Sequence, residues 1–335
     1  MSTIKSVSFN TSSYDPFIDF LKAYSIFFVV FAHCFPVELY NFTLFQVWGD
    51  MQVPMFILIQ TFHAYKKGEK PIINYPRLFR RIIFPFIFVQ SILFITLSFD
   101  RINVNGLLNF VVSGGSGPGS YYFWIYLQIA VILPLMWPFI INASKRVLFF
   151  AFLTVSIAFE VYFSIIDFSD SIYRLLAVRY LFLIYLAYNL WVKGDVIISR
   201  KTILWSSVSI AFVLFFVFTD YDLEPFFFNT GWKFHRWICY YYVASLLTYV
   251  LWKVYQIIQK VNWFDNFTRI LGQCSYEIYL MQMVVFTFFG SDNISLIYNI
   301  YIRTPLYMVF TTSLSIWLGV LLKKQVIDRI EYLRV

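Results

Sequence analysis

Long apolar runs separated by short polar segments repeat along the whole chain. A helix of ~20 apolar residues is long enough to cross the ~30 Å hydrocarbon core of a bilayer. The runs predict about ten such helices, over residues 17–37, 42–62, 82–99, 120–141, 147–167, 173–192, 202–219, 236–256, 270–290 and 303–322. The pattern therefore predicts an all-α membrane protein, a single polytopic bundle in one domain over residues 1–335, with about 17–322 embedded in the membrane.

Composition excludes the soluble classes. Hydrophobic residues make up 60% of the chain and charged residues 13%, and the mean hydropathy is +0.69. Soluble domains carry about 25% charged residues. Cys34, Cys239 and Cys274 lie in separate apolar runs with no paired spacing, so we expect neither a disulfide framework nor a metal site.

The distribution of basic residues predicts the orientation of the bundle. Lys and Arg collect in the short loops on the cytoplasmic side of membrane proteins. With a cytoplasmic N-terminus, most of the 26 basic residues fall inside, and the opposite side holds only Arg101, Arg174, Lys233, Arg236 and Arg303. Both termini are therefore predicted to be cytoplasmic. The net charge of +8 is explained in the same way, so we expect no nucleic-acid partner.

Two ionisable residues stand in the first apolar run, "DFLKAYSIFFVVFAHC". Lys22 and His33 are eleven residues apart, which at about 100° per residue places both on one helix face, with a rise of ~16 Å between them. Lys22 alone is also explained by a side chain that reaches the membrane surface. His33 is also explained by a hydrogen bond between helices. Because imidazole is suited to general-base chemistry near neutral pH, the shared face favours a function.

Three further charged residues, Glu160, Arg179 and Glu277, fall within predicted spans five, six and nine. A lipid-facing charge is costly, so we expect these side chains to face the interior of the bundle and to have partners there. Pairing for architecture alone explains them equally well.

Arginines crowd the entrance of the third predicted helix, "YPRLFRRIIFPF". Arg77, Arg80 and Arg81 are typical of a cytoplasmic anchor. They equally suit a polyphosphate ligand, because guanidinium groups bind phosphate oxygens in pairs.

A glycine-rich stretch, "GGSGPGSYYFW" (114–124), lies on the outer side in the predicted topology. Glycines allow a backbone to approach a ligand closely. The aromatic residues that follow offer stacking surfaces of the kind that sugars use, so Gly117, Ser120, Tyr121 and Tyr122 are candidate substrate-binding residues. A mobile connector is the alternative.

The chain resembles the integral-membrane acyltransferase family 3, which includes bacterial O-acetyltransferases of surface polysaccharides. Lys22 and His33 match the basic residue and the histidine of its first helix. "VPMFILIQTF", "RLFRRIIFPF" and "SYYFWIYLQIAVILPLMWP" are similar to its second, third and fourth helices, and "LGQCSYEIYLMQM" to its late serine-tyrosine motif. The resemblance covers nearly the whole chain, from about Phe17 to Leu322.

Two departures from the family pattern stand out. Gln60 and Thr61 replace the common Ser-Gly of the second helix, and Gln282 stands where a histidine is common. His33 is then the one histidine that matches a family motif, because His63 and His235 match none.

The resemblance implies acetyl-CoA as a donor substrate, with no permanently bound cofactor, and a saccharide or glycolipid hydroxyl as acceptor. On that basis we assign the CoA phosphates to Lys22 and the three arginines, and the general-base role to His33. Asp19 is predicted to hold Lys22 by an ion pair. Tyr276 and Glu277 are candidates for orienting the acceptor, and an acyl-enzyme route stays open.

The implied location is the inner (plasma) membrane of a bacterium, with glycan-assembly proteins as candidate partners. The main alternative is a transporter or flippase for a glycan or lipid-linked sugar, in which buried charges are also expected. A structural membrane partner in a glycan-assembly complex is a third hypothesis, and it would need neither the arginines nor His33.

Overall fold

The computed structural model describes residues 15–35, 42–66, 71–97, 105–106, 110, 114–166, 170–192, 195–219, 234–290 and 300–329. These residues are helical almost throughout. Helices α1 to α13 span Pro16–Ala32, Phe45–Trp48, Gln52–Lys66, Tyr75–Leu97, Tyr121–Asn142, Lys145–Ile165, Asp170–Tyr173, Ala177–Leu190, Arg200–Thr219, Phe234–Ile258, Asn262–Gln273, Ser275–Phe288 and Ile300–Leu322. Within the described residues one short antiparallel ladder occurs, between β1 (Trp191–Val192) and β2 (Asp195–Val196).

The all-helical membrane architecture is confirmed. Four described segments are long and apolar enough to cross a membrane: Tyr75–Leu97, Tyr121–Asn142, Lys145–Phe163 and Pro305–Ile327. A helix also lies within each of the other predicted runs. The count of ten crossings, the single domain and the cytoplasmic termini remain predictions.

The predicted ninth helix, over residues 270–290, is wrong in its boundaries. The chain breaks at Cys274, where φ is −100° and ψ is 9°, and forms two separate helices, α11 and α12. The predicted second helix is likewise divided, into α2 and α3, around Gly49 and Asp50. Both breaks fall where polar residues interrupt the apolar run.

Helix α1 is at the centre of the bundle and contacts α3, α10, α11, α12 and α13. Its start is fixed by Asp15, whose carboxylate accepts the backbone N–H of Phe17 at 3.2 Å, and by Pro16 in the first turn. It ends at Ala32, short of the predicted residue 37, and Pro36 follows closely, which suits the end of a helix.

Close contacts define the relative directions of three helices. Gly272, just before α12, lies against the backbone of Asp19, and the rings of Phe286 and His33 lie 5.5 Å apart, so α1 and α12 run in the same direction. Cys34 Sγ lies 3.0 Å from Thr311 Oγ1, and Gly319 lies against the backbone of Ile278. Helix α13 therefore runs antiparallel to both.

Two segments of π-helix interrupt this arrangement at the end of the bundle where α1 begins. One, Phe79–Ile83, lies within α4 and includes Arg80 and Arg81. The other, Lys323–Ile327, continues α13. Such widened turns leave carbonyl groups open to partners and occur often at functional sites.

Candidate functional site

One stripe of α1 carries the candidate residues of the first helix. Asp19 is buried, and its Oδ1 lies 3.5 Å from Nζ of the half-buried Lys22. Ile26 and Val29 continue the stripe as buried residues. His33 caps the C-terminal end of α1 and is exposed. The predicted ion pair is present, and the lysine and the imidazole stand at opposite ends of the central helix.

A carboxylate joins the Lys22 end of the bundle from another helix. Glu277 lies in the first turn of α12 and is buried, at 6% exposure. The charged groups near it are Lys323, just beyond the end of α13, Asp328, which forms an ion pair with Lys323 at 3.1 Å, and Arg81 of α4. The expectation that Glu277 faces the interior is therefore confirmed. We call Asp19, Lys22, Glu277, Lys323 and Arg81 the charged end.

Arg81 belongs to this charged end, and the two other arginines of α4, Arg77 and Arg80, lie within the preceding turn of the same helix. Arg77 and Arg81 are exposed, and Nε of the half-buried Arg80 donates to the carbonyl oxygen of Pro76 at 3.2 Å. The hydroxyl of Tyr276 donates to the carbonyl oxygen of Ile82, at 2.7 Å, within the π-helical segment. This bond fastens the first turn of α12 to the part of α4 that presents the arginines.

The glycine segment, residues 114–120, is folded against the middle of α12. Four of its glycines have positive φ, from 80° to 96°, and a Cβ at Gly117 would lie 2.6 Å from Cβ of Met283. Ser120 and Tyr122 are buried and Tyr121 is half-buried. The candidate sugar-binding residues are therefore packed inside the bundle rather than displayed on an open surface.

Side chains from two helices hold the backbone of the glycine segment. Gln90 of α4 accepts the N–H of Ser116 at 2.8 Å and donates to its carbonyl oxygen at 3.1 Å. Tyr279 donates to the carbonyl oxygen of Gly119 at 2.9 Å, and Gln282 to that of Pro118 at 2.8 Å. These bonds link α4 and α12 through the segment between them.

The sequence reasoning missed this role of Gln90, Tyr279 and Gln282. The available signal was a glutamine within an apolar run, because a buried amide requires hydrogen-bond partners. Gln282 is fully buried, and its Oε1 has no hydrogen-bond partner in the described structure. It is therefore an acceptor in the bundle interior that the described side chains leave unused.

The His33 end of α1 also contacts α12, at a position C-terminal to Gln282. Phe286, whose ring contacts His33 edge-on, lies one helical turn beyond Gln282 on the same face of α12. Lys22 and the charged end lie ~16 Å away along α1. The glycine segment and Gln282 thus occupy the level between the charged end and His33.

Other candidate residues fall elsewhere. Arg179 is buried, as expected, with its guanidinium 5.1 Å from the ring centre of Tyr173 and 5.7 Å from that of Tyr180. The side chains of Glu160 and His235 lie outside the described residues. His63 is exposed near the end of α3.

Comparison with known proteins supplies the activity class. Residues 15–324 match a family described as an acyltransferase domain. No curated protein and no solved structure matches the chain. The match covers the charged end, the arginines of α4, the glycine segment and His33 together. The chain therefore belongs to acyltransferase family 3, a family of membrane-embedded acyltransferases.

Proposed function

We propose that this acyltransferase moves an acetyl or other acyl group from cytoplasmic acyl-CoA to a hydroxyl group on a cell-surface or lipid-linked saccharide. The observation that carries the proposal is the central helix α1, with a cation in an ion pair at one end and an exposed imidazole at the other. The arginines of α4 lie at the cationic end, and among the described residues the neutral glycine segment packs against α12 between the two ends.

The charged end suits the donor. CoA carries several phosphate charges, and exposed arginines bind phosphate through paired N–H donors. Arg77, Arg80 and Arg81 would bind these phosphates at the mouth of the bundle, with Lys22 behind them. Asp19 keeps the Lys22 ammonium on the correct face of α1 through the ion pair. The thioester arm of acyl-CoA then extends along α1 toward His33.

The His33 end suits the acceptor. Nε2 or Nδ1 of the imidazole accepts the proton of the saccharide hydroxyl while the hydroxyl oxygen attacks the thioester carbonyl. The new C–O bond forms, the C–S bond breaks, and the imidazolium returns its proton to the departing CoA thiolate. A positioned general base contributes about 10²–10⁴-fold to the rate. Because His33 is exposed, an acceptor reaches it without passing the charged end.

The transmembrane arrangement gives the reaction its sidedness. With both termini cytoplasmic, the charged end faces the cytoplasm, where acyl-CoA is made, and His33 faces the outer side of a bacterial inner membrane. The acyl group crosses the membrane while CoA does not. Glycan-assembly proteins would deliver the saccharide. A transporter requires no thioester chemistry, so membership of an acyltransferase family favours the enzyme.

The test uses purified protein in proteoliposomes that contain short saccharide acceptors, with radiolabelled acetyl-CoA added outside. The enzyme in the orientation with its charged end outward transfers label to the enclosed saccharide. His33→Ala reduces this transfer at least 100-fold at equal protein amount, which is the lower bound for loss of a general base.

His63→Ala is the matched control, because His63 is exposed and matches no family motif; its transfer rate stays unchanged. Undiminished transfer by His33→Ala refutes the catalytic role of this residue. If the unsubstituted protein consumes no acetyl-CoA in the presence of the saccharide acceptors, the proposed donor is refuted.

A further inference from the structure

Helix α11 is richer in polar residues than the predicted spans that surround it. It has 12 residues, NWFDNFTRILGQ, and stands between α10 and α12. Its length is about 18 Å at 1.5 Å per residue, too short to cross the ~30 Å hydrocarbon core by itself. Several other helices of the bundle are also short, but half of the residues of α11 are polar or charged, which does not suit a membrane span. The faces of α11 therefore decide where it lies.

One face of α11 packs against the beginning of α1. Thr268, Leu271 and Gly272 are buried, and the ring of Phe264 lies 6.3 Å from that of Phe20. A Cβ at Gly272 would lie 2.1 Å from the carbonyl oxygen of Asp19. The two backbones are thus in direct contact, and α11 lies at the depth at which α1 begins.

A second face of α11 is apolar and uncovered. Trp263, Phe267 and Ile270 are 70%, 48% and 51% exposed. Their spacing of four and three residues confines them to about 60° of the helix circumference at 100° per residue. Large apolar side chains grouped in this way indicate a binding surface rather than scattered exposure.

The third face is polar. Asn266, Arg269 and Gln273 are exposed, and the Arg269 guanidinium donates to the side-chain oxygen of Asn266. This face is separated by about 100° from the apolar stripe, and the stripe by roughly a further 120° from the buried face, at 100° per residue. A helix that lies in a membrane surface beside a protein needs these three faces, toward protein, acyl chains and water.

The apolar stripe continues from a neighbouring helix. Val250, Val254 and Ile257 are exposed on one face of the last turns of α10, a predicted span, and Val261 is exposed in the connection to α11. The uncovered apolar residues thus follow the chain from a span onto α11. Continuity with the surface that spans present to lipid favours a bilayer over a protein partner.

We propose that α11 is a membrane-surface helix whose stripe, Trp263, Phe267 and Ile270, lies among the acyl chains of the leaflet in which α1 begins. Trp is enriched at this depth because its ring is amphipathic. Arg269 then faces the lipid headgroups or water. Since Gly272 allows no gap to Asp19, the lipid contact of α11 also sets the position of the Asp19–Lys22 pair.

The test measures the surroundings of each face in phosphatidylcholine vesicles. Single cysteines replace Trp263 or Ile270 on the stripe and Asn266 or Gln273 on the polar face, in a background with Cys34→Ala, Cys239→Ala and Cys274→Ala. Each carries an environment-sensitive nitrobenzoxadiazole label. Quenching is compared between a lipid nitroxide placed near the headgroup and aqueous iodide.

The labels at Trp263→Cys and Ile270→Cys are expected to be quenched several-fold more by the lipid nitroxide than by iodide, and those at Asn266→Cys and Gln273→Cys the reverse. Stripe labels quenched mainly by iodide overturn the proposal. Stripe labels protected from both quenchers also overturn it, because a protein or a second copy then covers α11.

A second measurement needs no substitution. Hydroxyl-radical oxidation of the unmodified protein in vesicles, read by mass spectrometry, is expected to spare Trp263 at least several-fold relative to the unfolded chain, although its side chain is 70% exposed in the structure. Oxidation of Trp263 at the rate of the unfolded chain would refute burial in lipid.

Discussion

The charged end and the glycine segment lie in the same bundle and are held together by different forces. At the charged end, Asp19 and Glu277 are buried carboxylates with cations nearby, and Lys22 and Arg81 keep part of their surface open. The glycine segment holds no charge. Neutral amide and hydroxyl groups from Gln90, Tyr279 and Gln282 bind its backbone.

The difference separates two requirements of the proposed reaction. A polyphosphate donor needs cations that a soluble ligand can reach, and cations that keep contact with water avoid the cost of burying a charge without a partner. Between the donor and acceptor ends, the thioester arm of acyl-CoA needs an uncharged surface along which it can extend. The glycine segment, whose backbone is held by neutral hydrogen bonds, provides such a surface. Substitutions in the two regions are therefore expected to have separable effects on stability and on activity.

The largest expected effect is at the ion pair. Lys22→Leu removes the ammonium that lies 3.5 Å from the buried Asp19 carboxylate, and loss of one partner of a buried pair costs about 3 kcal/mol of unfolding free energy. The double variant Asp19→Asn with Lys22→Leu recovers most of that stability, because neither position of the pair then carries a charge. Equilibrium unfolding in detergent measures both.

The rate of acyl transfer by the same variants distinguishes a donor-binding role of Lys22 from a purely structural one. The double variant stays inactive if the lysine binds the donor, although its stability recovers. Recovery of transfer together with stability would show that Lys22 has only a structural role.

Gly272 is the next most sensitive position. Gly272→Ala forces the backbones of α11 and α1 apart, since the new Cβ would lie 2.1 Å from the Asp19 carbonyl oxygen. Overpacking of this kind costs about 1–3 kcal/mol. Gly290→Ala, whose Cβ would lie at an ordinary 3.4 Å from the Phe286 carbonyl oxygen, is the matched control with no loss. Equal thermal midpoints of the two variants would contradict the close contact.

At the glycine segment, Gln90→Leu removes both hydrogen bonds to Ser116 and leaves the backbone groups of Ser116 without those partners. The expected cost is about 2 kcal/mol, the usual range for unsatisfied buried polar groups. Faster hydrogen exchange confined to the glycine segment is the measurement. Gln256→Leu, on the exposed surface of α10, serves as control and leaves the exchange pattern unchanged. Unaltered exchange in Gln90→Leu would show that other contacts hold the segment.

The Asp19–Lys22 pair of the charged end was predictable from the sequence, whereas the place of Glu277 beside it and the contacts of the glycine segment were not. Helical periodicity is local, so the eleven-residue spacing of Lys22 and His33 defined a shared face, and the three-residue spacing of Asp19 and Lys22 predicted their ion pair. The contact between Gln282 and Pro118 joins residues 164 positions apart. No local pattern encodes such a separation, so the sequence leaves the segment open between a substrate-binding mouth and a mobile connector.

Helix boundaries show the same limit. An apolar run predicts that a helix exists but not where it breaks, which is why residues 270–290 were assigned to one helix. The break at Cys274 lets α11 pack against α1 while α12 runs parallel to α1. The polar residues Asn266, Arg269 and Gln273 contained the signal, since they recur on one face of α11.

The smallest expected effect belongs to the exposed arginines. Arg77→Gln removes one exposed cation, and exposed charge interactions contribute about 0.2–1 kcal/mol, so stability stays unchanged within error. If Arg77 binds a CoA phosphate, KM for acetyl-CoA rises several-fold while kcat stays constant, because the interaction is the same in the ground state and the transition state. Raising the salt concentration reduces the difference in KM between the variant and the unsubstituted enzyme.

The matched control is Arg146→Gln, because Arg146 is an exposed arginine on α6 at the same predicted membrane surface. An equal rise of KM in both variants would indicate general attraction of an anion to a basic surface, and no rise in either would remove Arg77 from the donor site.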